Sequence, residues 1–468
     1  MHTLSKAFGI LLGAALLAGC ATKAPPELTE IQQQAGVVGD LEPTSEWKET
    51  VASGPIADNW LATFKDQQLD ALITEAMAKN PDLRIASTKV EQAVQYVELS
   101  KAALRPSLSI FGIGGLNLGG GDISSPLQGG SFRASWEPDL WGRLRYGRNA
   151  TEASYASVQA DYEFARQSLA AMVAKGWFTA SETWQQQTIA DDLVAAAEKL
   201  LELADERYRI GAGNEQDVAL AQANLGSYRD NARQVRLAHQ QAQRSLELLL
   251  GRYPAAELSV RPDLVELPPD IPAGLPLEML ERRPDMVAAE RRVAAAFNRV
   301  GEARAARLPR IILNANASYI SSEILELQPD YENPSFGAGA TLIAPIYDGG
   351  QLKTQVTIRT LEQKEAVAHY ARQALEALGE VENILATSRS LADREKILTR
   401  VLAENERALA MAQTSYRIGS GDLRAVQQQK LNVQAARLAL LRVRSEQLSQ
   451  RVNLHLVLGG SFEPVTDV

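Results

Sequence analysis

Two periodicities alternate along this chain. From Gln67, Leu69, Leu72, Ile73 and Ala76 recur at the spacing of one helical face, and Asn80-Pro81 ends that helix and starts another reaching about Leu104. Pro106 stops it and the period drops to two. Leu108 and Ile110 alternate with Ser107 and Ser109, and Phe132, Ala134 and Trp136 alternate with Arg133, Ser135 and Glu137. The helical period then returns. From about Leu144 to Ile210 the pattern runs on through a tolerable Gly176 for roughly 65 residues, or about 100 Å of helix. Beyond Gly211 and Gly213 a second helix carries Val218, Ala221, Leu225, Tyr228, Ala232, Val235, His239, Ala242, Leu246 and Leu249 in alternating steps of three and four. That 3.5-residue period predicts helices supercoiled on a neighbour.

The same sequence of patterns occurs twice. Tyr208-Arg209-Ile210-Gly211-Ala212-Gly213 recurs as Tyr416-Arg417-Ile418-Gly419-Ser420-Gly421, and Leu250-Gly251 recurs as Leu458-Gly459, both at an offset of 208 residues. Pro81-Asp82 precedes Pro106 by 25 residues, as Pro284-Asp285 precedes Pro309, and Pro138 and Gly142 match Pro345 and Gly349. In the second copy Leu313, Ala315, Ala317 and Tyr319 alternate with Asn314, Asn316 and Ser318, and Phe336, Ala338, Ala340 and Leu342 alternate with Gly337, Gly339 and Thr341. The later seam is Val426, Val433, Ala436, Leu440, Val443, Leu454 and Val457. Ordered landmarks at nearly one offset predict two structural repeats, 66–265 and 266–468, with strand pairs at about 107–137 and 311–344. Residues 20–65, broken by Pro25, Pro26, Pro43 and Pro55, read as an extended lead.

About ten alternating residues match a transmembrane β-strand. Four strands cannot close a barrel, and an open sheet edge is not viable in lipid. A barrel would therefore be shared, with eight strands from two chains or twelve from three. The alternative is a soluble protein whose four strands cap a helical bundle.

Composition supports long helices: 45% of residues are hydrophobic but only 6% aromatic. A net charge of −9 argues against a nucleic-acid partner. Lys6, the apolar stretch Phe8 to Leu17, and Leu17-Ala18-Gly19-Cys20 read as a lipoprotein signal peptide over 1–19, with lipidation at Cys20. Cys20 is the single cysteine, so no internal disulfide is available to it. Ala21 is not Asp, which directs the lipoprotein to the bacterial outer membrane, extending into the periplasm.

The lipobox, Asn80-Pro81-Asp82-Leu83, Trp136-Glu137-Pro138-Asp139-Leu140-Trp141-Gly142-Arg143, Arg282-Arg283-Pro284-Asp285, Pro345-Ile346-Tyr347-Asp348-Gly349-Gly350 and the two Tyr-Arg-Ile-Gly turns together resemble the TolC/OprM family of outer-membrane efflux channels, in its lipoprotein (NodT-like) branch. The resemblance covers essentially the whole mature chain. It implies a mainly α protein with a shared transmembrane β-barrel: a homotrimer with a twelve-stranded barrel over an α-helical tunnel. It also implies a periplasmic adaptor and an inner-membrane pump of the resistance-nodulation-division (RND) type as partners. The function implied is the passive exit duct of a tripartite efflux system for drugs or other small molecules. The channel of a type I protein secretion system and a non-channel periplasmic structural lipoprotein stand as alternatives.

Such a duct performs no chemistry and is not an enzyme. No Ser/His/Asp set, phosphate loop or metal-ligand spacing is present, and His239, His369 and His455 are far apart in sequence. No cofactor or metal is expected. The expected sites are Cys20 as anchor, the hairpin tips as adaptor-docking surface (Arg209, Gly211, Gly213, Arg417, Gly419 and Gly421), and a gate. In the family's best-known members a Tyr and an Arg of the second-half hairpin, with carboxylates on the following helix, hold the tip closed. Tyr416 matches the Tyr, but Gly421 stands at the Arg position and Ala425 and Gln428 at the acidic ones. Asp217 matches the acidic position of the first half. The resemblance therefore leaves a Tyr416–Asp217 hydrogen bond, within or between chains, as the latch, with Asp422 or Arg424 as a substitute ion pair.

Overall fold

The computed structural model describes residues 22–36, 47–48, 54, 56, 58–114, 128–260, 263–274, 276–321 and 334–463. Cys20 lies outside them. Helix α1 (Leu28–Ala35) and a 3₁₀ turn (Trp60–Phe64) precede two sets of six elements. The first set is α2 (Gln67–Lys79), α3 (Pro81–Ala102), β1 (Ser107–Ile113), β2 (Gln128–Trp136), α4 (Arg143–Arg209) and α5 (Glu215–Leu249). The second is α6 (Pro276–Arg282), α7 (Pro284–Ala305), β3 (Arg310–Ser321), β4 (Ser335–Ile343), α8 (Gln351–Arg417) and α9 (Leu423–Val457). Element for element the two sets are the same, so the duplicated landmarks are a duplicated structure. Both long first helices have 67 residues and both second helices 35.

The lead differs from a plain extended segment. Pro25 and Pro26 precede α1, where proline's missing N–H costs nothing, and Gly36 closes it in the left-handed conformation at φ 70°. Further on, Trp47 donates its indole N–H to the carbonyls of Ala273 and Gly274, at 3.3 and 3.1 Å. Trp60 and Phe64 are buried in a core with Leu69, Ile73, Trp177, Phe178 and Leu246.

Residues cluster into two compact units, and four of the five boundaries between them fall inside helices α3, α4, α7 and α8. One unit holds the sheet. Its strand order is β1-β2-β3-β4, antiparallel throughout, so β1 and β4 are edges. The register sorts the faces. Ile110, Phe132, Ala317 and Phe336 stand opposite one another in one row, and Ser109, Arg133, Asn316 and Gly337 in the next. Side chains of adjacent rows point to opposite faces, so one face is apolar from edge to edge. Among the described residues nothing covers it: Leu108, Ile110 and Phe336 are 75%, 73% and 80% exposed.

Both strand-to-helix junctions use a carboxylate as helix cap. Asp139 accepts from the backbone N–H of Leu144 and Arg145 (3.1 and 2.9 Å), and Asp348 from those of Gly350 and Leu352 (2.9 and 2.8 Å). Gly142 and Gly349 take the positive φ these turns require. Arg143 grips Glu137 through both carboxylate oxygens at 3.0 and 2.9 Å, and the Trp141 indole donates to the Pro309 carbonyl at 2.6 Å. The Trp-Glu-Pro-Asp-Leu-Trp-Gly-Arg motif is thus a corner built to turn a strand into a helix.

The other unit holds the helical core. Trp177 donates to Asp66 at 2.9 Å, and Asp66 also accepts from the N–H of Gln68 and Leu69, so this buried carboxylate is satisfied while capping α2. Along α5 the seam splits in two. Ala221, Leu225, Ala232, His239 and Leu246 are buried, whereas Val218, Tyr228, Val235, Ala242 and Leu249 are only partly covered. All the named seam residues of α9 are buried. His239 is a packing residue whose Nδ1 lies 3.1 Å from the Thr183 hydroxyl.

His455 stacks on Trp60, 2% exposed, and among the described residues neither ring nitrogen has a partner. Burial, with a smaller effect of Arg451, pushes its pKa down to about 3. The imidazole is therefore packed neutral. Between pH 6.5 and about 3 the unfolded chain binds a proton here that the folded chain does not. This stability is complete above pH 6.5 and is lost as pH falls, by up to about 1.4 kcal/mol per pH unit. His455→Met should lose less stability than the parent between pH 7 and pH 4.5 in thermal unfolding of detergent-solubilised protein.

Candidate functional site

Each of the two long hairpins reverses at a Tyr-Arg-Ile-Gly-x-Gly turn. The turns share the same backbone bonds. Gly211 N–H donates to the Tyr208 carbonyl and Ala212 N–H to that of Arg207, at 3.0 and 2.8 Å. Gly419 and Ser420 donate to the carbonyls of Tyr416 and Ser415, at 3.2 and 3.0 Å. This is a Schellman ending, which satisfies carbonyls a helix otherwise leaves open.

The two glycines of each turn have different reasons for being glycine. Gly211 and Gly419 sit at φ +74° and +80° with open space around them. Gly213 and Gly421 are not in the left-handed region; they lack room. A Cβ on Gly421 would lie 2.8 Å from the Tyr416 nitrogen, and one on Gly213 would lie 3.1 Å from the Tyr208 nitrogen. Positive φ therefore explains only the first glycine of each pair. Arg209 and Arg417 are exposed, and Arg209 pairs with Glu206 at 2.8 Å on the surface.

At the proposed latch, the Arg207 guanidinium lies 4.7 Å from the Tyr416 ring centroid. The ring also packs on Ala204, Ala221 and Leu423. No Tyr416–Asp217 hydrogen bond forms within the chain, and among the described residues the Asp217 carboxylate has no partner. Its backbone N–H is held by the Asn214 cap at 2.8 Å. Asp422 caps α9 through the Arg424 N–H, and their side chains approach at 4.0 Å, both mostly exposed. Sequence reasoning missed Arg207; its position two residues before Arg209, one helical turn from the tip, was the available signal. It also missed the Asn224–Gln427 side-chain bond of 2.6 Å, which ties α5 to α9.

The polar face of the sheet forms a concavity of about 530 Å³, lined by Phe111, Ser131, Arg133, Asn314, Asn316 and Ser318 among others. One side of the sheet is thus suited to hydrocarbon and the other to water. Among the described residues no group of His, Cys, Asp and Glu could hold a metal ion, and no helix is long and apolar enough to cross a membrane.

An antiparallel sheet with one lipid-compatible face, carried on paired 67- and 35-residue helices, defines the protomer of an outer-membrane channel. The chain belongs to the outer membrane efflux protein family, whose profile matches residues 72–252 and 275–460. It is 29% identical to the cation efflux system protein CusC of Escherichia coli O6:H1, over 86% of this chain and 88% of that protein. It is 28% identical to the pyoverdine export outer membrane protein OpmQ of Pseudomonas aeruginosa, over 97% and 96% of the two. Among solved structures, CusC superposes with a TM-score of 0.77 at 26% identity, covering 89% of this chain and 99% of that one. The Campylobacter jejuni CmeC outer membrane channel shares the fold, with a TM-score of 0.81 at 23% identity over 91% and 92%.

The split roles of the tip glycines are testable. Gly419→Asn should leave the tip intact, because asparagine tolerates the left-handed conformation. Gly421→Ala should speed tryptic cleavage after Arg417 about fivefold, the equivalent of about 1 kcal/mol of local stability.

Proposed function

We propose that three copies of this chain close a twelve-stranded barrel, pairing β4 of each protomer with β1 of the next. The barrel is the passive outer-membrane exit of a tripartite system that expels small molecules. The observation that carries this reading is the sheet itself, apolar across one whole face, bearing Ser109, Arg133, Asn314, Asn316 and Ser318 among apolar residues on the other, and unpaired at both edges. In hydrocarbon each unpaired edge group costs several kcal/mol, so closure is the stable state. The half-covered seam residues of α5, Val218 to Leu249, offer the matching helical surface to a neighbouring protomer. Efflux and export relatives of this length support small-molecule cargo over secreted protein. An inner-membrane pump of the RND type supplies the energy, and a periplasmic adaptor meets the hairpin tips at Arg209, Arg417 and their glycines. Cys20 carries the lipid anchor that holds the protein in the outer membrane; anchoring of this kind requires more than one acyl chain.

Deletion of the gene should raise sensitivity to small hydrophobic compounds while protein secretion is unchanged; lost secretion with unchanged sensitivity would favour the type I reading instead. The purified chain should form discrete conductance steps in planar bilayers, and absence of steps would sink the channel reading.

The latch then lies between chains. Tyr416 is engaged by Arg207 of its own chain, and the Asp217 carboxylate has no partner among the described residues of its own chain, so it is available to the neighbouring Tyr416 hydroxyl. One such bond contributes about 0.5–1.5 kcal/mol, and a ring holds three. Asp217→Ala should raise the closed-state conductance severalfold; an unchanged value removes Asp217 from the gate.

A further inference from the structure

The described residues of the four strands contain two charged side chains, and both are cations. Arg133 sits in the middle of β2 and Arg310 begins β3. Register and alternation place both on the polar face. Arg133 stands opposite Asn316, and Arg310 shares that residue's parity along β3, six positions or about 20 Å of strand away.

Neither guanidinium has a hydrogen-bond or ion-pair partner among the described residues. The acids closest to Arg133 in sequence, Glu137 and Asp139, also line the pocket that holds Arg310, and both are already engaged. Glu137 is held by Arg143 through both oxygens, and Asp139 by the Arg145 side chain at 3.2 Å and by backbone N–H groups. Across the row the neighbours of Arg133 are neutral: Ser109, Asn316 and Gly337. Gly337 contributes no side chain, and Asn316 leans into the space it leaves, with Oδ1 2.7 Å from where a Cβ would stand. The guanidinium thus opens into the concavity beside hydroxyl and amide groups that can also donate to an anion.

We propose that this polar face is an anion-favouring wall, with Arg133 and Arg310 selecting for anionic or anion-bearing solutes in the outer-membrane segment of the channel. The inference rests on the barrel assembly proposed above. Closure of three chains turns two cations per chain into two rings of three inside a water-filled lumen. Rings of Arg or Lys are how pores favour anions. A low-dielectric wall focuses their field, and the Debye length of about 8 Å at physiological salt is comparable to the lumen of such a barrel. Unpaired arginines also make point contacts with carboxylate, sulfate or phosphate groups.

The test is the chloride-to-potassium permeability ratio of the full-length protein in planar bilayers under a tenfold KCl gradient. The acids Asp122, Glu323, Glu326, Asp330 and Glu332 lie in interstrand segments outside the described residues, so the reading is the change on altering the strands. The double variant Arg133→Ser/Arg310→Gln should lower the ratio at least about twofold. Arg133→Lys, which keeps the charge, should preserve it. Asn316→Asp, which sets an acid opposite Arg133 without removing either arginine, should lower it independently. Conducting pores whose ratio is unchanged in both the double variant and Asn316→Asp overturn this inference alone. A parent chain that forms no conducting pore overturns the assembly and this inference with it.

Discussion

The constraint on which the rest depends is the set of backbone N–H and C=O groups left unpaired along β1 and β4. Inside a water-soluble protein such edges are a manageable liability. Here they border a face of Leu108, Ile110, Phe132, Phe336 and Leu342 that none of the described residues covers. Apolar surroundings and unpaired amides are incompatible, so a single chain cannot be the finished object. Everything else positions that sheet or carries it: the capped corners at Asp139 and Asp348, the long helices they launch, and a helical seam with half its positions still partly open.

The two repeats show which features a unit of this kind needs and which chemistry is negotiable. Both corners need a carboxylate cap and a left-handed glycine, and both have them. Both second helices end in a Schellman turn at Gly251 and Gly459, packed against the residue before an X-Pro step. That X differs. Asn80 donates to the Leu249 carbonyl and accepts from the Leu83 N–H, at 2.9 and 3.0 Å, doing both jobs with one amide. Its counterpart Arg283 reaches the Val457 carbonyl at 3.3 Å but has no acceptor to offer, and Asp285 supplies one to the Met286 N–H while neutralising the guanidinium at 2.8 Å. Asn-Pro-Asp and Arg-Pro-Asp are two solutions to one problem of helix ends.

Much of this was legible along the chain because it rests on periodicity and on punctuation. A 67-residue helix announces itself by the absence of breakers, and a strand with one wet face by strict alternation. The seam of α9 was readable residue by residue. The lead was not: the anchoring of Trp47, Trp60 and Phe64 depends on partners more than a hundred residues away. His455 was equally opaque, since nothing nearby in sequence says that a histidine near the end of a helix will stack dry on Trp60.

The amino-acid order by itself determined the duplicated architecture, the number of strands, which face of each is apolar, and where each hairpin turns. Those are local consequences of side-chain spacing and backbone restriction. The tertiary structure decided matters of proximity. It showed that Gly213 and Gly421 are glycines for lack of room rather than for their φ, that Tyr416 meets Arg207 rather than Asp217 within one chain, and that Arg133 and Arg310 share a face on which, among the described residues, no acid pairs them. Periodicity reports which way a side chain points; only the folded chain brings to it the group that it meets.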